Sequence, residues 1–321
     1  MIGSHLRKDL PLIAARVRTA TKQGLKVYRL DAGGNDWLMP IAAHLKSKPS
    51  QWVDQLGQIA QAIAQAKSIS SPSGLAVKSV SREAQMIADQ LLSNIKLESP
   101  EPQAILLGSL AIAHPNASDL HVLAEFIAKH TGCTFGFLCE GGNAVAAQMV
   151  GATQGNQGSI ETVLQSKARA YVMLHVEPLN DLPNPQHTRS ALQAADTVIA
   201  MSAYTSPDLL ELADVILPIT PYTETIGSYV NMAGQVQTIQ PSVRPLADAR
   251  PAWKVLRALG SLLNLEGFLY NLPEEVYADA FAKPVQDLLN NGFTATPEVQ
   301  QRVPLAAALE RLADQPIYSS D

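Results

Sequence analysis

The sequence predicts an α/β protein, doubly wound around a mostly parallel sheet, and three features carry that expectation. Short, near-continuous apolar runs such as Ala104–Leu110 and Ala170–Val176 read as strands buried on both faces. Between them lie stretches whose apolar residues recur every three to four positions, the pattern of helices that cover such a sheet. Proline and glycine punctuate the junctions, as where Pro218 ends the run Ala213–Leu217.

Met1-Ile2-Gly3-Ser4 begins abruptly and reads as the end of a strand. Pro11 opens a helix to about Gln23, stopped by Gly24. Leu12, Ile13, Val17 and Ala20 form its apolar face, and Arg16, Arg18 and Lys22 are solvated or open to an acidic neighbour. Residues 1–30 hold seven Lys or Arg against one Asp. Leu25–Leu30 follows as a strand, and Asp31 at its end invites a ribose hydroxyl, but Gly3-Ser4-His5-Leu6 offers one glycine instead of G-x-G-x-x-G.

Ser50–Lys67 is a helix with Val53, Leu56, Ile59, Ile63 and Ala66 on one face. The Ser68–Gly74 break after it marks a domain boundary, so residues 1–67 form a partial α/β segment whose other strands lie upstream in a parent chain. Residues 75–264 form a second α/β domain. Its helices are 81–95, 118–130, 143–150, 160–166, 189–195, 207–212 and 252–263, and its strands 104–110, 134–139, 170–176, 197–201 and 213–217. Tyr229–Val236 carries Asn231 and Gly234 between two β-prone runs, a hairpin signal. Residues 265–321, interrupted by Pro273, Pro284, Pro297 and Pro304, form a short helical C-terminal tail.

A formal charge of −5 with 5% aromatic residues excludes a nucleic-acid surface built from cations and stacking rings. No run approaches the roughly 18 apolar residues of a membrane span, so no direct membrane insertion is expected. Cys133 and Cys139 are too few for an iron–sulfur cluster and spaced unlike a zinc knuckle. They read as buried, reduced thiols.

Ligands of open α/β sheets sit outside the carboxyl ends of strands, which directs attention to Glu140-Gly141-Gly142-Asn143, His175-Val176-Glu177-Pro178 and Ser202-Ala203-Tyr204. Gly141 and Gly142 before a helix suit the approach of an anion to backbone N–H groups, yet Glu140 opposes it and Glu177 adds another negative charge. The seven histidines include no H-E-x-x-H, Gly108-Ser109-Leu110 is no G-x-S-x-G elbow, and Gly151–Gly158 lacks the Lys of a phosphate loop. No catalytic residue and no metal ligand is assigned.

Between Ala213 and Ile239 the chain strings together ADVILP, Glu224, Gly227-Ser228-Tyr229-Val230-Asn231 and Gly234-Gln235-Val236-Gln237. In that order they resemble the signature of the molybdopterin-oxidoreductase family. Within it the chain looks most like the C-terminal, molybdopterin-oxidoreductase-like region found in bacterial NADH:quinone oxidoreductase (respiratory complex I). The resemblance covers nearly all of the chain and is strongest over residues 1–30 and 196–263, and the final Pro316–Asp321 is similar to that branch's own end. Three positions depart from the family pattern: Thr225 replaces a Lys or Arg, Ala233 a Glu, and Gln235 an Arg. The family's usual G-S-N-P loop, which touches the cofactor, reads Gly3-Ser4-His5-Leu6 here.

The resemblance implies a vestigial cofactor cleft, either left empty or filled by side chains, with Ser4, His5, Gly141, Gly142, Asn143, Glu177, Glu224 and Asn231 as its candidate remnants. It further implies a scaffold without cofactors of its own, docked on other hydrophilic-arm subunits at the cytoplasmic side of the inner membrane. Iron–sulfur clusters that relay electrons from NADH toward quinone would belong to a missing N-terminal region of the parent subunit. The alternative is the pterin-dinucleotide-binding portion of a molybdenum enzyme of formate dehydrogenase or nitrate reductase type. A third reading, a stand-alone dinucleotide-binding enzyme, lacks the glycine fingerprint.

Overall fold

The computed structural model describes residues 1–300 except 96, 99–100, 140, 153–159, 183 and 293–297. Glu140, Pro297, Pro304 and the Pro316–Asp321 ending lie outside the described residues, as does most of the Gly151–Gly158 loop.

The first half is a parallel sheet. β1 (Tyr28–Asp31) pairs with β2 (Ala43–Lys46), Leu30 opposite Leu45, and β3 (Ala104–Leu107) pairs with β4 (Thr134–Phe137), Leu107 opposite Phe137. Ile2 joins the two pairs by bridging Leu30 on one side and Leu107 on the other, so the order is β2-β1-Ile2-β3-β4. The Ile2 amide donates to Leu106 O at 2.9 Å and the Gly3 amide to Leu30 O at 2.8 Å, while the Leu30 and Gly108 amides return bonds to Met1 O and Ile2 O.

Strand alternation sends Ile105 and Leu107 to one face and Leu106 to the other. The first face carries α3 (Trp52–Lys67), α4 (Arg82–Ile95) and α6 (Ala117–Thr131), whose Leu56, Ile63, Ile87, Leu123 and Ile127 fill the main core. The opposite face is covered by α1 (Leu6–Asp9) and α2 (Pro11–Thr21) through Leu6, Ala14, Ile13 and Val17, with Trp37 beside them. Cover on both faces is what a parallel sheet requires, and it accords with the doubly wound expectation.

The boundary expected at 68–74 falls inside this one core. Trp52, Ile59 and Ile63 from before it pack with Ala84, Ile87 and Leu123 from after it. The reason is the Ile2 joint, which makes strands from both segments members of one sheet. Several strand bounds shift by two or three residues from the sequence expectation, and β2 and β3 differ for identifiable reasons. β2 has no counterpart there, because Leu45 is the single buried apolar residue in Ala-His-Leu-Lys and no alternation marks it. The strand expected to reach Leu110 stops at Leu107, since Gly108 packs against Ser4 and α5 (Ser109–Ile112) starts at once.

The second half begins with α7 (Ala144–Met149) and α8 (Ile160–Gln165), and builds a second parallel sheet of β5 (Ala170–Leu174), β6 (Thr197–Ser202) and β7 (Val215–Pro218), in that order. Its crossovers are α9 (Pro178–Asp181), α10 (Pro185–Gln193) and α11 (Pro207–Leu212). α10 and α11 both start on proline and are capped by a side chain, Asn184 Oδ1 accepting from His187 N and Ser206 Oγ from Leu209 N. Leu164, Tyr171, Leu192, Val198 and Leu212 form this half's own core. The antiparallel hairpin of β8 (Gly227–Val230) and β9 (Val236–Ile239) follows, then α12 (Ala252–Leu262), α13 (Pro273–Ala280) and α14 (Val285–Leu288).

The Ile2 joint has no room for a side chain at Gly108, where an added Cβ would stand 2.5 Å from Ser4 Cβ and 2.6 Å from Gly3 O. Gly108→Ala should therefore lower stability by about 2 kcal/mol, read from chemical denaturation midpoints, with the secondary structure content retained.

Candidate functional site

In this sheet the chain leaves Ile2 toward β1 on one side, while β3 and β4 lie on the other, so the topological switch point is the Gly3-Ser4-His5 turn between β1 and β3. Gly3 turns there with φ +58°, and an added Cβ would stand 2.6 Å from Ala111 N and 2.9 Å from the Trp52 ring. Ser4 is buried and Leu6 is fully buried beneath the turn. The His5 amide donates to Asp9 Oδ2 at 3.2 Å, and Ser109 Oγ donates to the same oxygen at 2.9 Å. A carboxylate thus engages one amide of the turn and the first hydroxyl of α5.

Asp31, at the end of β1, is buried and saturated. Its Oδ2 accepts from Arg29 Nε at 2.6 Å, and its Oδ1 from Gly33 N at 2.7 Å and His44 Nε2 at 2.9 Å. Arg29 continues to Asn35, whose side-chain oxygen accepts from Nη2, and its guanidinium lies 4.4 Å over the Trp37 ring. Burial alone would raise the Asp31 carboxyl, but the Arg29 hydrogen bond, the Gly33 amide and the His44 ring hold it below the usual carboxylate range. The carboxylate that invited a ribose hydroxyl is committed to its own strand pair.

The other expected positions fall into three places. Gly142, Asn143 and Asn231 gather at the hairpin. Asn143 Nδ2 donates to Ser228 O at 3.0 Å and its Oδ1 accepts from Val230 N at 2.9 Å, so one amide side chain caps β8 as a neighbouring strand would. Gly142 lies under the Tyr229 ring, Gly141 adopts φ +81°, and Cys139 N approaches Met232 Sδ at 3.2 Å. Asn231 Oδ1 accepts from Ala233 N and Gln235 N, which closes the turn. Glu177 belongs to the end of β5, where its carboxylate accepts from Asn180 Nδ2 at 2.8 Å. Glu224 accepts from Leu246 N at 3.1 Å. Ser4 and His5 stay at the turn of the first sheet, where the Asp9 carboxylate meets the His5 amide.

The Arg29, Asn35, Trp37 and His44 cluster, and Asp9, were missed in the sequence. One signal was available: Arg29 and Asp31 are two apart in a strand and so share a face. The Cys133 thiol is buried and burial pushes it up, as it does the half-buried Cys139 thiol. Among the described residues no group of three His, Cys, Asp or Glu side chains is placed to hold a metal ion. No helix among them is long and apolar enough to cross a membrane.

The molybdopterin oxidoreductase profile matches residues 1–262. The chain belongs to the molybdopterin oxidoreductase family. It is 27% identical over 177 residues to the mitochondrial NADH-ubiquinone oxidoreductase 78 kDa subunit of Neurospora crassa, a match that covers 53% of this chain and 22% of the relative. It is 28% identical over 101 residues to the F420-dependent formate dehydrogenase subunit alpha of Methanocaldococcus jannaschii, covering 31% of this chain and 15% of the relative. The chain therefore spans less than a quarter of either. Among solved structures it shares the fold of acetylene hydratase from Pelobacter acetylenicus, with a TM-score of 0.56 and 14% identity over 79% of this chain and 45% of that one.

In this member of the molybdopterin oxidoreductase family the hairpin signature is held by backbone geometry. Gly234 is buried at φ +75°, and a Cβ there would overlap Leu289, next to α14. Gly234→Val should cost about 1–3 kcal/mol, whereas Gln235→Arg, at an exposed turn position, should stay within about 0.5 kcal/mol. Thermal melts of both variants check the order.

The Asp31 shift sets a pH dependence. A carboxyl held low in the folded state contributes stability that is present above its unfolded pKa of about 4 and lost as pH falls through the folded value. Asp31→Asn should lose about 3 kcal/mol at pH 7, because it strands the buried Arg29 charge. The gap to the unmodified chain should narrow below about pH 4, measured by urea denaturation across pH.

Proposed function

We propose that this chain is a scaffold portion of an NADH:quinone oxidoreductase subunit of the kind it matches in Neurospora crassa, and that it carries no redox group itself. In this reading the iron–sulfur clusters that relay electrons from NADH to quinone belong to a preceding region of the parent subunit. The chain docks on other hydrophilic-arm subunits, on the cytoplasmic side and peripheral to the inner membrane. The support in sequence is the 177-residue match to the respiratory subunit, against 101 residues for the formate dehydrogenase.

The observation that carries the reading is Asp9. A pterin dinucleotide is anionic, and its phosphates call for free N–H groups or cations at the switch point. Here a carboxylate takes the His5 amide and the Ser109 hydroxyl, and the backbone of Gly3 closes against Gly108. Asp31 is likewise bonded to Arg29, Gly33 and His44. At the hairpin, Gln235 stands where the family's Arg would grip a charged group. In this reading the Asp9 carboxylate and the loss of the hairpin arginine weaken the case for an anionic cofactor, which favours the scaffold over the formate dehydrogenase alternative.

Elemental analysis and a visible spectrum of the purified chain test this directly. The expected result is no stoichiometric molybdenum or iron, no flavin or cluster absorption, and no NADH oxidation. Stoichiometric molybdenum would overturn the scaffold reading.

A further inference from the structure

α2 is fixed on one side and bare on the other. Ala14, Ile13 and Val17 pack into the core beside Leu6 and Trp37. At about 100° per residue the opposite arc runs through Arg18, Lys22, Ala15, Thr19, Leu12 and Arg16. All six are exposed, Leu12 at 79%. Leu12, Ala15 and Thr19 are spaced three and four apart, the a/d spacing of a helix-docking seam, and the C-cap Lys22 closes it with a charge. Thr19 satisfies its hydroxyl on Ala15 O at 3.0 Å, within its own helix.

Arg16 flanks this seam on one side and Arg18 on the other. Arg16, Arg18 and Lys22 have no acidic partner among the described residues. They are three cations on one helix face in a chain of net charge −5. An exposed leucine between unpaired guanidinium groups matches a helix that offers an apolar pocket and acidic flanks.

We propose that the outer face of α2 is a docking surface for an acidic amphipathic helix of a neighbouring protein, with Leu12 as the anchor and Arg16, Arg18 and Lys22 as the charge-matching rim. This rests on the reading of the chain as a docked scaffold and names the surface that docks. The seam is short, about three turns, so the contact is one helix against one helix with the ion pairs setting orientation.

The test uses the whole chain and a synthetic helix of about six turns with Leu and Ala at the seam positions and Glu at the flanking ones, followed by fluorescence anisotropy. Saturable 1:1 binding is expected, weakening roughly tenfold when salt is raised from about 50 to about 300 mM. It should be lost in Leu12→Ser and in the triple variant Arg16→Glu, Arg18→Glu, Lys22→Glu, both judged folded by circular dichroism. Absent binding, binding indifferent to the triple variant, or binding displaced by duplex DNA or by phosphatidylglycerol vesicles would overturn the proposal. Incorporation of the chain into the respiratory complex is scored separately. If the unmodified chain and the triple variant incorporate equally, the surface is wrong and the scaffold reading stands; if the unmodified chain does not incorporate, the scaffold reading fails.

Discussion

The double pairing of Ile2 is the constraint on which the rest of this structure depends. One residue donates to Leu106 O, accepts from Gly108 N, and lies between β1 and β3 as their common neighbour. Without it the described strands are two separate pairs, each with edges exposed. With it they are one sheet, and the helices on its first face close a single core around Trp52, Leu56, Ile63 and Leu123. The close approach of Gly3 and Gly108 follows from the same joint, because adjacent parallel strands that end together bring their turns into contact.

That closure decides what the switch point can hold. In open α/β sheets this is where a ligand enters, and it does so by meeting free amides. Here α1 begins immediately after Gly3-Ser4-His5, and Asp9 at its far end folds back on the His5 amide. The buried Arg29–Asp31 pair at the end of β1 is bonded further to Asn35, Gly33 and His44 and packs on Trp37, so it contributes local order. Asn143 does the same for the hairpin by completing the β8 edge. Asn143, Asn231 and Glu224 thus spend their side chains on the protein's own backbone.

Much of the fold was legible because the apolar runs of β3, β5 and β6 and the helical periods of α3 and α6 are strong local signals. β2 was not legible, since Leu45 gains its burial beside β1 and α4 and nothing in its neighbours announces a strand. The supposed boundary at Ser68–Gly74 was a composition signal, and composition does not report that Ile2 couples the segments on either side. For the site, Gly234 and Asn231 were readable because turn chemistry is local. Asp9 was not, because its roles lie in partners such as Ser109, 100 positions away.

The central claim is that the family fold persists while its ligand entrance is closed by the chain's own groups. Calorimetric titration of the chain with a pterin guanine dinucleotide tests it most directly. The account predicts no saturable heat at ligand concentrations up to about 1 mM, a threshold that corresponds to about −4 kcal/mol of binding free energy. Saturable binding in the micromolar range, abolished by a bulky substitution at Gly142 in a chain that remains folded, would contradict it.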